Sequence, residues 1–298
     1  RAPGQCQVLP FLGTWGGFGP ANEQFLHPVG VVVDPAGVVF VIDNHGHYLK
    51  RFTRSGVYLS QWPVVNPLGV ALGPDGNLYI TRGLSSTFGG GALVSKFTKT
   101  GTLLQEWSAG AGAKGIAVDL DGSVYVAVND GPIRKFSSSG RLLAQWGSQG
   151  TGNGQFGYLD GVAVDGRGYV YTAENTNHRV QKFTTTGTYI TQWGIEGSGN
   201  GQFEMPVRLV TSPNGSLVYV VDYLNSRIQV FTDGGAYLGQ WGSAGGDPGQ
   251  FRGPIGIAVD GSGNVFVADT NNGRIQVFGS GVTPAHALSW GDLKRRYR

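Results

Sequence analysis

Residues 254–278 read P-I-G-I-A-V-D-G-S-G-N-V-F-V-A-D-T-N-N-G-R-I-Q-V-F. Ile255 to Asp260, Val265 to Asp269 and Arg274 to Phe278 are three short runs with alternating apolar residues, split by glycine-containing turns. Such runs, rich in Val, Ile and Phe, read as antiparallel strands joined by hairpins. Upstream the same wording returns: V-Y-V-V-D at 218–222 is followed by Asn225, Arg227, Gln229, Phe231, Gly235 and Trp241. Earlier still, V-Y-T-A-E at 170–174 precedes Asn177, Arg179, Gln181, Phe183, Gly187 and Trp193. Trp15, Trp62, Trp107, Trp146, Trp193 and Trp241 recur every 39 to 48 residues, so the chain is a repeat protein.

Between one unit and the next lies a polar glycine loop, W-G-S-Q-G-T-G-N-G-Q-F at 146–156 and W-G-I-E-G-S-G-N-G-Q-F at 193–203, with a cousin, W-G-G-F-G-P-A-N-E-Q-F, at 15–25. Because the loop recurs as a linker, its glycines are not a dinucleotide fingerprint. Each unit predicts a four-stranded antiparallel meander. The last lacks a fourth strand of its own, and Q-V-L-P-F-L-G-T-W at 7–15 reads like the fourth strands at Tyr58 to Trp62, Leu142 to Trp146 and Tyr237 to Trp241. The amino-terminal strand therefore completes the last unit and closes a ring without an open sheet edge.

Taken together, the pattern P-x-G-I-A-V-D-x-x-G-N-V-Y-V-A-D-x-x-N-x-R-I-Q-x-F resembles the NHL repeat over residues 5 to 278. The resemblance implies an all-β, six-bladed β-propeller of four-stranded antiparallel blades. Residues 1–278 form the propeller, with blade six completed by residues 7–15, and residues 279–298 form a basic tail. It does not imply one activity, since lyases, protein binders and RNA binders share this frame.

The repeat positions have structural work. Asp34, Asp119, Asp165 and Asp260 stand in D-x-x-G-type turns, where a carboxylate bonds its own backbone. Arg179, Arg227 and Arg274 read as loop braces, the planar guanidinium serving as a multiple donor. The tryptophans read as interblade packing.

Composition narrows the field. Charged residues make up 14% of the chain against 52 glycines, which suits a sheet protein with many turns. No apolar run approaches the length of a membrane span. The start at Arg1, not Met, fits either a cloned domain or a processed exported precursor, and the latter gives the expectation of an extracellular or periplasmic location. The net charge of +3 resides in Lys294, Arg295, Arg296 and Arg298 against Asp292, leaving the propeller neutral. A neutral body argues against nucleic acid as partner. Cys6 is the only cysteine, so its one disulfide option is intermolecular. Asn214-Gly215-Ser216 fits the glycosylation triplet but falls where a hairpin turn is expected.

Function is sought where the repeat departs from itself. Loops between second and third strands share one face, the upper face, with the interblade linkers, and most departures lie there. Blade two carries Arg82 in place of the second-strand acid and inserts residues 83–91, tipped by Phe88; blade three carries Val128 and a short loop. At the start of the inner strands stand Lys114 and Asp160 where other blades have aliphatic residues, and Arg208 where the others have glycine. Lys114, Asp160, Arg208 and Arg82 are expected to converge on the mouth of the central channel, either to take a polar or ionic ligand or to plug the channel as an ion-pair network. His27, His45, His47 and His178 also map to this face, and His27 with His45 is the metal reading, for zinc or calcium. Propeller amidating lyases draw zinc-binding histidines from separate blades beside an arginine, a place Arg208 fits; here blades two, three, five and six have no histidine.

The leading expectation is a non-enzymatic recognition or scaffold propeller, without a cofactor, that binds a protein, peptide or glycan on its upper face. The alternatives are a metal-dependent lyase or hydrolase at the channel mouth and a structural subunit of an extracellular assembly. Self-assembly through the termini would use Cys6 or the tail, where His286 to Trp290 would add a strand to a neighbour or compete for blade six.

Overall fold

The computed structural model describes residues 8–83, 91–129 and 131–279. Six four-stranded antiparallel sheets follow one another around a central channel, each a blade. The inner strands are Pro28–Val33, Pro67–Leu72, Ala113–Val118, Leu159–Val164, Pro206–Thr211 and Pro254–Val259. In blade six the second and third strands, Val265–Asp269 and Arg274–Phe278, lie where the alternation places them. Its fourth strand is Phe11–Gly16, paired with Arg274–Phe278 from Phe11↔Phe278 to Gly16↔Arg274. That pairing reproduces the register of the continuous blades, including the irregularity opposite the terminal phenylalanine seen at Phe231↔Tyr237 and Phe183↔Tyr189. The closure is therefore an ordinary blade with its chain cut.

The core lies between blades. Each of six apolar clusters joins two neighbours; Val31, Val41 and Phe52 of blade one meet Ala258, Phe266 and Ile275 of blade six. Five of the six outer-strand tryptophans, Trp15, Trp62, Trp107, Trp146 and Trp193, pack over the glycine turn of the next blade. At Gly187, which has φ +88°, an added Cβ would fall 2.7 Å from the Trp146 ring. Trp241 has no such turn to cover, because blade six takes its fourth strand from the chain start; Leu9 joins the cluster around it. All six indole N–H groups are buried without an acceptor, so these residues act through packing alone.

Polar side chains hold the linkers. Arg227 donates to Asp222 at 2.7 Å and to the carbonyls of Ser198, Gly199 and Gln202 at 2.7–2.9 Å, while Gln229 donates to Gln202 at 2.6 Å. Arg179 and Arg274 repeat the arrangement on Glu174 and Asp269. Asp222 is fully buried, and its charge is tolerable only with these partners. Blade one changes the residues and keeps the function: Lys50 reaches the carbonyls of Ala21 and Gln24 at 3.1 and 2.5 Å beside Asp43. On the lower face the turn aspartates accept their own backbone N–H groups, as Asp260 does from Ser262 and Asn264 at 2.8 and 3.0 Å.

Breaking one brace should be costly. Arg227→Met, which strands the buried Asp222 carboxylate, is expected to lower unfolding free energy by about 3 kcal/mol in urea titrations. A loss below about 1 kcal/mol would mean that the brace is no stronger than a surface pair.

Candidate functional site

The inner strands line the channel with Val31, Val70, Ile116, Val162, Leu209 and Ile257, one apolar residue from each blade. Its upper end is crossed by Arg208. The Arg208 guanidinium donates to the carbonyl of Asp160 at 2.5 Å in blade four and to that of Leu68 at 3.1 Å in blade two, and pairs with the Asp160 carboxylate at 3.5 Å. Arg208 is thus a strut fixed at both ends.

Lys114 is placed differently. Its ammonium lies 3.6 Å from the other oxygen of Asp160 and donates to the Tyr158 hydroxyl at 2.5 Å. It also stands 4.4 Å from the centre of the Tyr158 ring, where the ring quadrupole favours a cation. Lys114 and Asp160 border a cleft of about 460 Å3 on the upper face, spanning blades three to six. Asn175, Thr176 and His178 of blade four add polar groups, while Met205, Val207, Tyr223 and Ile255 supply an apolar wall. This volume falls within the roughly 300–1,000 Å3 usual for small-ligand sites, and the mixture of apolar wall with a few convergent polar groups is their usual chemistry.

Asn175 gives the cleft its most specific feature. In blade one the residue after the second-strand acid, Asn44, donates to the carbonyl of Pro67 at 2.7 Å; in blade six, Thr270 donates to that of Pro28 at 2.7 Å. Asn175 holds the same place in blade four and is only 4% exposed; among the described residues its Oδ1 has no donor, as is true of Asn129 at that place in blade three. A buried polar atom left unpaired costs about 1–3 kcal/mol. The Nδ1 of His178, also in the cleft, is buried and unpartnered as well. Met205, directly before Pro206, is held at φ 56°, a left-handed conformation that non-glycine residues seldom adopt.

The other expected residues fall elsewhere. Arg82 does not join Lys114, Asp160 and Arg208. It turns outward along blade two, donating to Ser95 at 2.7 Å and pairing with Glu106. With an arginine in place of the second-strand acid, the blade supplies the carboxylate from its outer strand, so the brace is rebuilt with its polarity reversed. His27 and His45 stack face to face, ring centres 4.2 Å apart. Among the described residues no three His, Cys, Asp or Glu side chains gather as metal ligands. Phe88, Cys6 and the segment from His286 to Trp290 lie outside the described residues.

With the geometry in place, the comparisons agree on the architecture. Residues 251–278 match the NHL repeat. The chain is a six-bladed β-propeller whose last blade is an NHL repeat. No curated protein matches the sequence. Among solved structures, an auxiliary nutrient binding protein from Bacteroides thetaiotaomicron superposes with a TM-score of 0.67 at 15% identity, over 86% of this chain and 69% of that one. Virginiamycin B lyase from Staphylococcus aureus gives 0.63 at 14%, over 90% and 98%, and a streptogramin B lyase 0.61 at 13%, over 89% and 96%. At such identities the likeness is one of fold.

The histidine pair offers a test by pH. Burial lowers the pKa of His27, His45 lowers it further, and Asp43 opposes them. The unfolded chain, with its histidine near 6.5, then binds more protons than the folded one, so this contribution is complete above that pH and is lost as pH falls through the lower folded value. Urea midpoints should decline between about pH 7 and 5, and His27→Gln should flatten that decline.

Proposed function

We propose that this propeller is a non-enzymatic recognition module of the extracellular or periplasmic space, which takes a protein, peptide or glycan ligand in the upper-face cleft. The observation that carries this reading is the cleft itself: an apolar wall from blades five and six faces Lys114, Asp160 and the unpaired Asn175 amide. The neutral body disfavours nucleic acid, and no helix among the described residues is long and apolar enough to cross a membrane. The nutrient binding protein of similar fold supports a binding role by analogy of architecture.

Peptide and glycan arrays probed with the labelled protein test this. Ile255→Arg, which puts a charge into the apolar wall, is expected to abolish array binding, while Leu120→Arg, at a side chain 74% exposed on the opposite face, leaves it intact. Equal loss in both variants, or binding untouched by Ile255→Arg, would sink the cleft as the binding site.

The second reading is a metal-dependent lyase or hydrolase. The stacked His27–His45 pair and the two lyases of similar fold favour it. Native mass spectrometry decides between them: one zinc or calcium retained by the wild type and lost in His27→Gln would favour the lyase, and metal-free protein with array binding would favour the recognition module.

A further inference from the structure

The polar groups of the cleft are not equivalent, and their differences define a ligand. Arg208 is committed on both sides of the channel, so it belongs to the frame. Asp160 is shared between Arg208 and Lys114, two cations against one anion. The surplus charge is on Lys114, the more exposed of the two. An ammonium has three donors, and among the described residues Lys114 makes one hydrogen bond, to Tyr158; its separation from Asp160, 3.6 Å, is an ion pair beyond hydrogen-bond range. One end of the cleft therefore calls for an anion with acceptor oxygens.

Asn175 calls for the opposite partner. Its Oδ1 is an acceptor without a donor, on a side chain more than nine-tenths buried, and it lines the same cleft. An N–H of the ligand satisfies it. Between these poles Met205, Val207, Tyr223 and Ile255 offer only apolar surface, apart from the Tyr223 hydroxyl. A neutral sugar supplies neither the anion nor the apolar body, and a simple fatty acid lacks the N–H. A peptide end has all three, a terminal carboxylate, a main-chain N–H on the same residue and a side chain between them and the wall.

Building on the recognition reading, we propose that the cleft captures peptides by their carboxyl terminus. Lys114 anchors the terminal carboxylate, the Asn175 Oδ1 accepts the N–H of the last residue, and an apolar last side chain packs on Val207, Tyr223 and Ile255. Capture of a chain end in this way disfavours internal sequence, whose main chain carries no carboxylate.

Fluorescence polarisation with labelled tetrapeptides ending in Leu, Phe or Ser, each as free acid and as terminal amide, tests it. The Leu and Phe acids should bind, and amidation should weaken them by about tenfold or more, the share expected for a hydrogen bond to a charged group. Lys114→Met should remove the difference between acid and amide, Lys114→Arg should keep it, and Asn175→Leu should weaken the acids while its thermal melt is no lower than that of the wild type. Equal binding of acid and amide, or a preference that survives Lys114→Met, overturns the carboxylate anchor. If peptides bind without that preference and Ile255→Arg abolishes them, the recognition module stands and the chain-end reading falls. If no peptide binds in either form, the chain-end reading falls and the glycan arm of the arrays decides the module.

Discussion

At three of the six seams the inner strands of adjacent blades run so close around the channel that, where they enter it, there is no room for a side chain between them. A Cβ added to Gly69 would lie 2.6 Å from the carbonyl of Lys114, one on Gly115 2.5 Å from that of Asp160, and one on Gly161 2.6 Å from that of Val207. Real Cβ contacts do not come so near, so glycine is what lets the inner strands of blades two, three and four approach their neighbours. Everything outward follows from that tight centre. The blades splay, their facing sheets bury aromatic and branched side chains between them, and the linkers above are held by side chains whose own charges are buried.

Blade five alone places a large side chain at this point. Arg208 reaches across the channel to blades two and four, and its carbonyl partners at Leu68 and Asp160 are backbone atoms of the same close-packed inner strands. The strut spans the channel between blades two and four and leaves Asp160 fixed between two cations. A depression then forms to one side of the axis, over blades three to six, and not on the axis. The propeller is close to sixfold in its frame and one-sided in its upper surface.

How much of this could be read from the chain varies with the range of the interaction. The strands of blade six, the closing role of the amino-terminal segment and the Arg274 brace all follow from local pattern, because alternation and turn chemistry act over a few residues. Lys114, Asp160 and Arg208 stood out as departures from an otherwise repeated position, and they do meet. Arg82 stood out by the same criterion but pairs within its own blade, since Glu106 in the outer strand compensates for the lost acid. That compensation is 24 residues distant and only visible once strand register is known. Asn175 was passed over because asparagine in a turn loop is unremarkable in sequence. It matters only because its Oδ1 is buried without a donor among the described residues.

Repeat number, blade topology, the closing strand and the neutral body are properties of pattern and composition, and they are settled along the chain. The cleft is settled by the ring. Its walls come from residues 114 to 255, brought side by side because six sheets must close around one axis, and its polar asymmetry arises from which side chains the braces and the Arg208 strut have already used. Hydrogen-bond saturation is a property of three-dimensional neighbours, so the groups left over for a ligand can be counted only after the fold has assigned the rest.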